Sequence, residues 1–323
     1  MRVAYSLGSL LSVKQVLKCA SMLASTDADT VWIPETWGME NFSMLGAISS
    51  MPGTYKIGSS IINIYSRSPA TIAMGAATID VISQGRLVLG LGTSSVPIVE
   101  DLHGYKFERP VCRMREYVEI IRKITLSRQA DYSGKVFSLK NFSLLIKPFR
   151  SSIPIYLAAV NKNMINLTWE IADGAILYLR PLEEIRQTVP HMQSRRKIDV
   201  SCQIITCVAE DQDAALLRAK KTLAFYISVG KIYREFLMQN GFLSETKNVF
   251  EEFKNSGLES NHDMITDRML DSLAIAGTPD QCIVKLEKFR NAGIDLPIMQ
   301  FNPVGDVMES FGLFTRTFSG AKN

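Results

Sequence analysis

Glu35 and Trp37 stand two apart in Glu35-Thr36-Trp37-Gly38, directly after the apolar run TVWIP at 30–34. A carboxylate at such a strand end can act as acid or base, and an indole can stack on a flat ligand. The plainer alternative is a Glu bonded to a nearby Arg and a Trp filling a gap. His103, in Leu102-His103-Gly104 beside Glu100 and Asp101, is one of three histidines. It could donate a proton, although a single loop histidine is more often just solvated or hydrogen-bonded. Asn63, Tyr65, Ser66 and Arg67 follow another apolar run; Arg67 can clamp a carboxylate or phosphate, or pair with Glu35. Gly90-Leu91-Gly92-Thr93-Ser94-Ser95 is a partial dinucleotide fingerprint, with Ser where GxGxxG needs its last glycine. Its N–H groups and hydroxyls can hold a phosphate or a ring edge. Equally, its glycines can let strand and loop pack closely. The two readings stand level.

Other chemistries find no support. There is no GxSxG, HExxH or Walker loop. His103, His191 and His262 are too dispersed for a multi-histidine metal site. The five cysteines (Cys19, Cys112, Cys202, Cys207, Cys282) contain no CxxC and read as buried reduced thiols. The net charge of +4 carries no Lys/Arg block, so nucleic acid is not an expected partner. The start MRVAYSLGSL is polar and short for a signal peptide, and no apolar run of about 18 residues occurs. The expectation is a soluble, cytoplasmic protein with no membrane partner.

The elements that must position these residues alternate. Strands are expected at 2–7, 30–34, 56–62, 86–92, 153–158, 175–179, 199–209 and 296–301. Helices are expected at 12–24, 42–50, 70–83, 110–127, 162–172, 181–195, 211–229 and 278–291, the last taken as the final helix of the chain. Ser12 and Thr278 suit caps, and Pro69 and Pro279 suit first helical positions. RLVLGLG has no charge after Arg86, as in a strand covered on both faces. The stretch 130–146 alternates like a β-hairpin insertion. The stretch 230–271 is polar and helix-like, without a strand, and reads as a lid or an interface element. With 46% hydrophobic residues and no Gly/Pro-rich linker, the 323 residues read as one domain. Eight strand–helix units give a parallel α/β architecture, of which the closed (β/α)8 TIM barrel fits the count best. Its active site lies on the loops after the strands.

Taken together, VWIPETWG (Val31–Gly38), IGSSIINIYSRSPATIAM (Ile57–Met74), ISQGRLVLGLGTSS (Ile82–Ser95), HGYKFERP (His103–Pro110), IPIYLAA (Ile153–Ala159), EIADGAI (Glu170–Ile176) and AGTPDQCIVKLEKFRNAGID (Ala276–Asp295) span nearly the whole chain. In this set the chain resembles the bacterial-luciferase-like flavin and deazaflavin oxidoreductases. Within them it is similar to the branch of coenzyme F420-dependent methylenetetrahydromethanopterin reductase.

The resemblance implies a luciferase-like barrel with the cofactor ring at its mouth. It implies a non-prolyl cis peptide at Ser60–Ile61 against the ring, Asn63 nearby, and Gly92, Thr93, Ser94 and Ser95 flanking it. Ala158, Ala159, Val160 and Asn161 would offer N–H groups to the phosphate tail, with Arg180 or Lys162 as counter-charge. Glu35 or His103 would be the proton source. Two acids of the pterin reductase correspond to Ser6 and Ser95 here, and Glu35-Thr36 stands where Asp-His is common.

The implied function is hydride transfer between C5 of F420 and a small organic substrate: a methylenetetrahydromethanopterin-like one-carbon carrier, an alcohol or an enoyl compound. The alternatives are an FMN-dependent luciferase-like monooxygenase and a non-catalytic F420- or flavin-binding protein. The family also implies a homodimer or homotetramer.

Overall fold

The computed structural model describes residues 2–8 and 10–319. Its strands are β1 (Ala4–Ser6), β2 (Thr30–Ile33), β3 (Lys56–Ser59), β4 (Ile62–Asn63), β5 (Leu87–Gly92), β6 (Gln129–Ser133), β7 (Ser138–Ser143), β8 (Ile155–Ala158), β9 (Gly174–Tyr178), β10 (Asp199–Val208), β11 (Ala274–Gly277) and β12 (Leu296–Phe301). Its helices are α1 (Val13–Leu23), α2 (Asn41–Ser49), α3 (Pro69–Ile82), α4 (Pro110–Ser127), α5 (Lys162–Ile171), α6 (Leu182–Arg195), α7 (Gln212–Val229), α8 (Lys231–Gln239), α9 (Leu243–Ser256), α10 (Asp267–Leu273), α11 (Pro279–Asn291) and α12 (Val307–Phe318). Strands β1-β2-β3-β5-β8-β9-β10-β12 pair in parallel, and β12 returns to β1, so the sheet closes. This is a (β/α)8 TIM barrel. The hairpin β6–β7 stands apart as an antiparallel insertion.

Local chemistry explains the elements. Every residue of β5 is buried, as a strand sandwiched between barrel interior and helices must be. Ser12 with Gln15 and Thr278 with Gln281 form capping boxes, and Ser68 caps α3 ahead of Pro69. Apolar residues divide into an outer layer under the helices and a small interior cluster. That interior cluster holds Ala4, Trp32, Val88, Tyr156, Ile176, Leu296 and Ile298.

Three expectations need correction. The chain does not end its helices at Asn291: α12 follows, and its Phe311, Phe314 and Phe318 pack over the barrel wall with Tyr5 and Phe301. The short run AIAG at 274–277 is a strand, β11, on the second half of β10 beyond the last pairing with β9. The long β10 has room for both neighbours along one edge. Within the loop 92–104, Ile98–Leu102 winds into a π-helical turn.

The stretch 230–271 is helical as expected. Leu237, Phe242, Val249, Ile265, Met269 and Leu270 form a second apolar cluster against α7. Among the described residues no helix is long and apolar enough to cross a membrane.

The N-terminal end of the barrel is closed by charge. Arg2 donates to Asp29 at 2.9 Å and, through both terminal nitrogens, to Asp199 at 2.9 and 2.8 Å. Tyr156 donates from inside the barrel to the same Asp199.

Candidate functional site at the barrel mouth

Parallel register brings a ring of polar side chains level at the C-terminal strand ends. Ser6 of β1 lies opposite Gln300 of β12 and Trp32 of β2. Gln203 of β10 lies opposite Tyr178 of β9. The Gln203 amide nitrogen donates to the Gln300 side-chain oxygen at 3.3 Å.

Between β3 and β4 the chain bulges. The Ser60–Ile61 peptide bond is cis, and neither residue is a proline. Ser59 fastens the bulge to β5: its hydroxyl donates to the Gly90 carbonyl and accepts from the Gly90 N–H, each at 2.8 Å. A Cβ on Gly90 would lie 1.8 Å from the Ser59 carbonyl oxygen. One on Gly92 would lie 2.5 Å from Ile61 Cγ1. The Gly-Leu-Gly of β5 is therefore a close-packing device against the bulge. This resolves the level choice for Gly90 and Gly92 in favour of packing; Thr93, Ser94 and Ser95 follow half-buried at the mouth, with Ser94 at φ 57°.

Six buried polar atoms here lack a hydrogen-bond partner: Ser6 Oγ, Trp32 Nε1, Ser60 Oγ, Asn63 Nδ2, Tyr178 Oη and Gln203 Oε1. Buried polar groups are almost always satisfied, so a cluster of free ones at one end of a barrel suits a polar ligand. They fall on two arcs. Trp32, Ser60 and Asn63 belong to β2 and the bulge. Tyr178, Gln203 and Ser6, with Gln300, belong to β9, β10, β1 and β12. Asn63 is fixed in place by accepting from the Tyr65 N–H at 2.9 Å, leaving its amide N–H₂ free.

The other expected site residues are placed as follows. Glu35 is half-buried and fully engaged: its oxygens accept from Arg67 at 2.6 and 2.8 Å and from the Asn41 N–H at 3.0 Å. Arg67 also meets Glu40, and its pKa is raised, chiefly by the hydrogen bonds to Glu35. Glu35 thus fixes the turn into α2, the alternative open in the sequence. Trp37 is 65% exposed. His103 caps the π-helical turn, its side chain exposed to solvent.

Ala158, Ala159 and Val160 run from β8 to Asn161, whose side chain accepts from the Met164 N–H and so caps α5. The positive end of α5 therefore opens beside this loop. Arg180 does not provide a free counter-charge there. It is buried, donates to Glu184 at 2.6 Å and to the Val160 carbonyl at 3.0 Å, and lies over the Phe236 ring. Its charge is already matched, and its role is to hold the loop. Lys162, the other counter-charge candidate, is exposed at the first position of α5 and forms no ion pair among the described residues.

Sequence reasoning passed over Tyr178, Gln203 and Gln300. The signal was present: Cys202-Gln203-Ile204 and Met299-Gln300-Phe301 each set one amide inside an apolar strand. A polar residue in a strand buried on both faces needs a partner.

Residues 2–296 match the family model of the luciferase-like monooxygenases. The chain is 30% identical over 291 residues to the 5,10-methylenetetrahydromethanopterin reductase of Archaeoglobus fulgidus, covering 86% of each chain. Its fold matches the coenzyme F420-dependent tetrahydromethanopterin reductase of Methanopyrus kandleri, with a TM-score of 0.87 at 20% identity and 98% of both chains covered. It also matches an F420-dependent secondary alcohol dehydrogenase solved with an F420–acetone adduct, with a TM-score of 0.79 at 18% identity and 98% of both chains covered. The match of residues 2–296 to the family model, together with the archaeal relative, places this chain in the luciferase-like monooxygenase family.

Proposed function

We propose that the chain is an F420-dependent oxidoreductase acting on a small organic substrate. The observation that carries this is the bulge arc, where Ser60 and Asn63 leave buried polar atoms unpaired on the surface of the bulge that Ser59 fastens to β5. A planar, hydrogen-bonding ring fits such a surface. The relative from Archaeoglobus fulgidus, by its name a methylenetetrahydromethanopterin reductase, supports the same cofactor class. Bound at this arc, F420 would supply a hydride carrier.

The chain's own residues would do the rest. Trp32, Ser60 and Asn63 would hold and orient the ring, and the β8–α5 loop with Lys162 would receive the anionic tail. Glu35 is committed to Arg67, which leaves His103 as the freer of the two proposed proton sources. The reactant follows the family reading: a pterin-bound one-carbon unit, an alcohol or an enoyl compound.

The test is a titration of the purified protein with F420 and, separately, with FMN, followed by absorbance and fluorescence. Micromolar or tighter F420 binding with weak FMN binding is expected. Preference for FMN, with oxygen consumed on supplying reduced FMN, would replace this reading by the monooxygenase one. Tight F420 binding without hydride transfer to any acceptor would make it a binding protein.

A further inference from the structure

The second arc of the mouth is unlike the first. Its free groups are the Tyr178 hydroxyl, the Gln203 amide oxygen and the Ser6 hydroxyl. Ser6 is 1% exposed and Gln300 9%. The Tyr178 ring is held edge-on by Tyr226 of α7 and Tyr233 of α8, with centroids 5.2 and 5.4 Å away and interplanar angles of 87° and 89°. That packing fixes the direction of the hydroxyl. The Tyr226 phenol and the Gln300 amide lie within reach of it, but neither stands at the distance and angle of a formed hydrogen bond. Burial pushes the Tyr178 phenol well above its ordinary range, so the group keeps its proton and can donate. The Gln203 amide is oriented by its bond to Gln300, which leaves its oxygen free to accept.

The four side chains of this arc are neutral. Near the mouth, Arg67 is matched by Glu35 and Arg180 by Glu184, while Lys162, unpaired among the described residues, stands exposed on the β8–α5 loop. A carboxylate or ammonium entering here would lose its hydration and meet only neutral groups, which is costly. A neutral molecule with one acceptor and one donor would satisfy Tyr178 and Gln203 together.

We propose that the Tyr178–Gln203–Gln300–Ser6 arc is the site of the second reactant, and that this reactant presents an uncharged polar group, gripped between the Tyr178 hydroxyl and the Gln203 amide oxygen. The assignment deepens the oxidoreductase reading, on which it rests for the cofactor's place on the opposite arc. Tyr178 and Gln203 are positioning residues that select for neutral ligands.

The test uses the whole chain, alone and loaded with F420, and four ring compounds of similar size. Cyclohexanone and cyclohexanecarboxamide are neutral; cyclohexanecarboxylate and cyclohexylammonium are charged. Binding is read by thermal shift and intrinsic fluorescence. A neutral compound should bind saturably and about tenfold or more tighter than either charged one. Tyr178→Phe, which keeps the ring packing, and Gln203→Leu should each weaken the neutral compound by about tenfold, the cost of one hydrogen bond left unmade. F420 affinity should stay within about twofold in both variants.

Equal or tighter binding of a charged compound, or binding of none of the four, overturns the proposal. So does unchanged affinity in both variants; should Tyr178→Phe fail to fold, Gln203→Leu decides alone. If the wild-type chain does not bind F420, the cofactor reading fails, while the measurements on the chain without cofactor still decide this one.

Discussion

At the scale of single residues, the mouth depends on Gly90. Any side chain there would collide with the Ser59 carbonyl at 1.8 Å, a backbone atom that cannot swing aside. Gly90→Ala should therefore lower unfolding stability by about 3 kcal/mol or more, at the upper end of overpacking costs. It should also displace the bulge and abolish F420 binding. Gly38→Ala is the control: a Cβ there meets nothing within 4 Å, so stability should hold within about 0.5 kcal/mol. Urea denaturation of both variants decides it, and a mild Gly90→Ala would show that the bulge is not held as described. This residue also marks a limit of the sequence. Gly90-Leu91-Gly92 announced a special turn, but whether it cradled a ligand or a neighbouring strand depended on Ser59, thirty-one positions away. Glu35 is similar: its pairing with Arg67 was one of two open readings, and only the fold brings the two together.

At the scale of elements, the eight barrel strands were legible because each is a short apolar run between turn residues. The elements that escaped lack such signals. β11 is four small or β-branched residues directly ahead of α11, too short a run to stand out, and α12 follows a strand that already completed the count. The loop after β8 shows how a charge can be legible in kind but not in role. Arg180 was expected to face an anion, yet it joins Glu184 of α6, the carbonyl of Val160 and Phe236 of α8. With side chains only 3% and 11% exposed, this ion pair is buried. Removing one partner of such a pair leaves the other charge stranded, at a cost of about 3–5 kcal/mol. Arg180→Met should show a loss of that order in chemical denaturation, with the β8–α5 loop loosened. A double variant adding Glu184→Leu should recover much of it. No recovery would mean that the Phe236 stacking and the carbonyl bond, rather than the ion pair, hold the loop.

At the scale of the whole molecule, the two ends of the barrel differ in their chemistry. The mouth holds unpaired neutral groups; the opposite end holds Arg2, Asp29 and Asp199, which tie β1, β2 and β10 together. Burial opposes the charge of Asp199, but Arg2 and Tyr156 outweigh it and hold the carboxyl below its ordinary 3.8. Burial likewise opposes Asp29, with Arg2, Thr30 and Lys56 outweighing it. A carboxylate whose pKa is depressed by folding contributes stability above its unfolded pKa and loses it as pH falls through the folded one. Stability should therefore be level above about pH 5 and decline below about pH 4. Asp199→Asn gives up that contribution at neutral pH, so its deficit against the wild type should narrow as pH falls below about 4. Because the substitution lies at the far end of the barrel, F420 affinity at pH 7 should not change. Denaturation series from pH 7 to pH 3 measure the gap directly. Parallel curves would place the bond between Arg2 and Asp199 outside the forces that hold the barrel shut, and a fall in F420 affinity would show that the two ends are coupled.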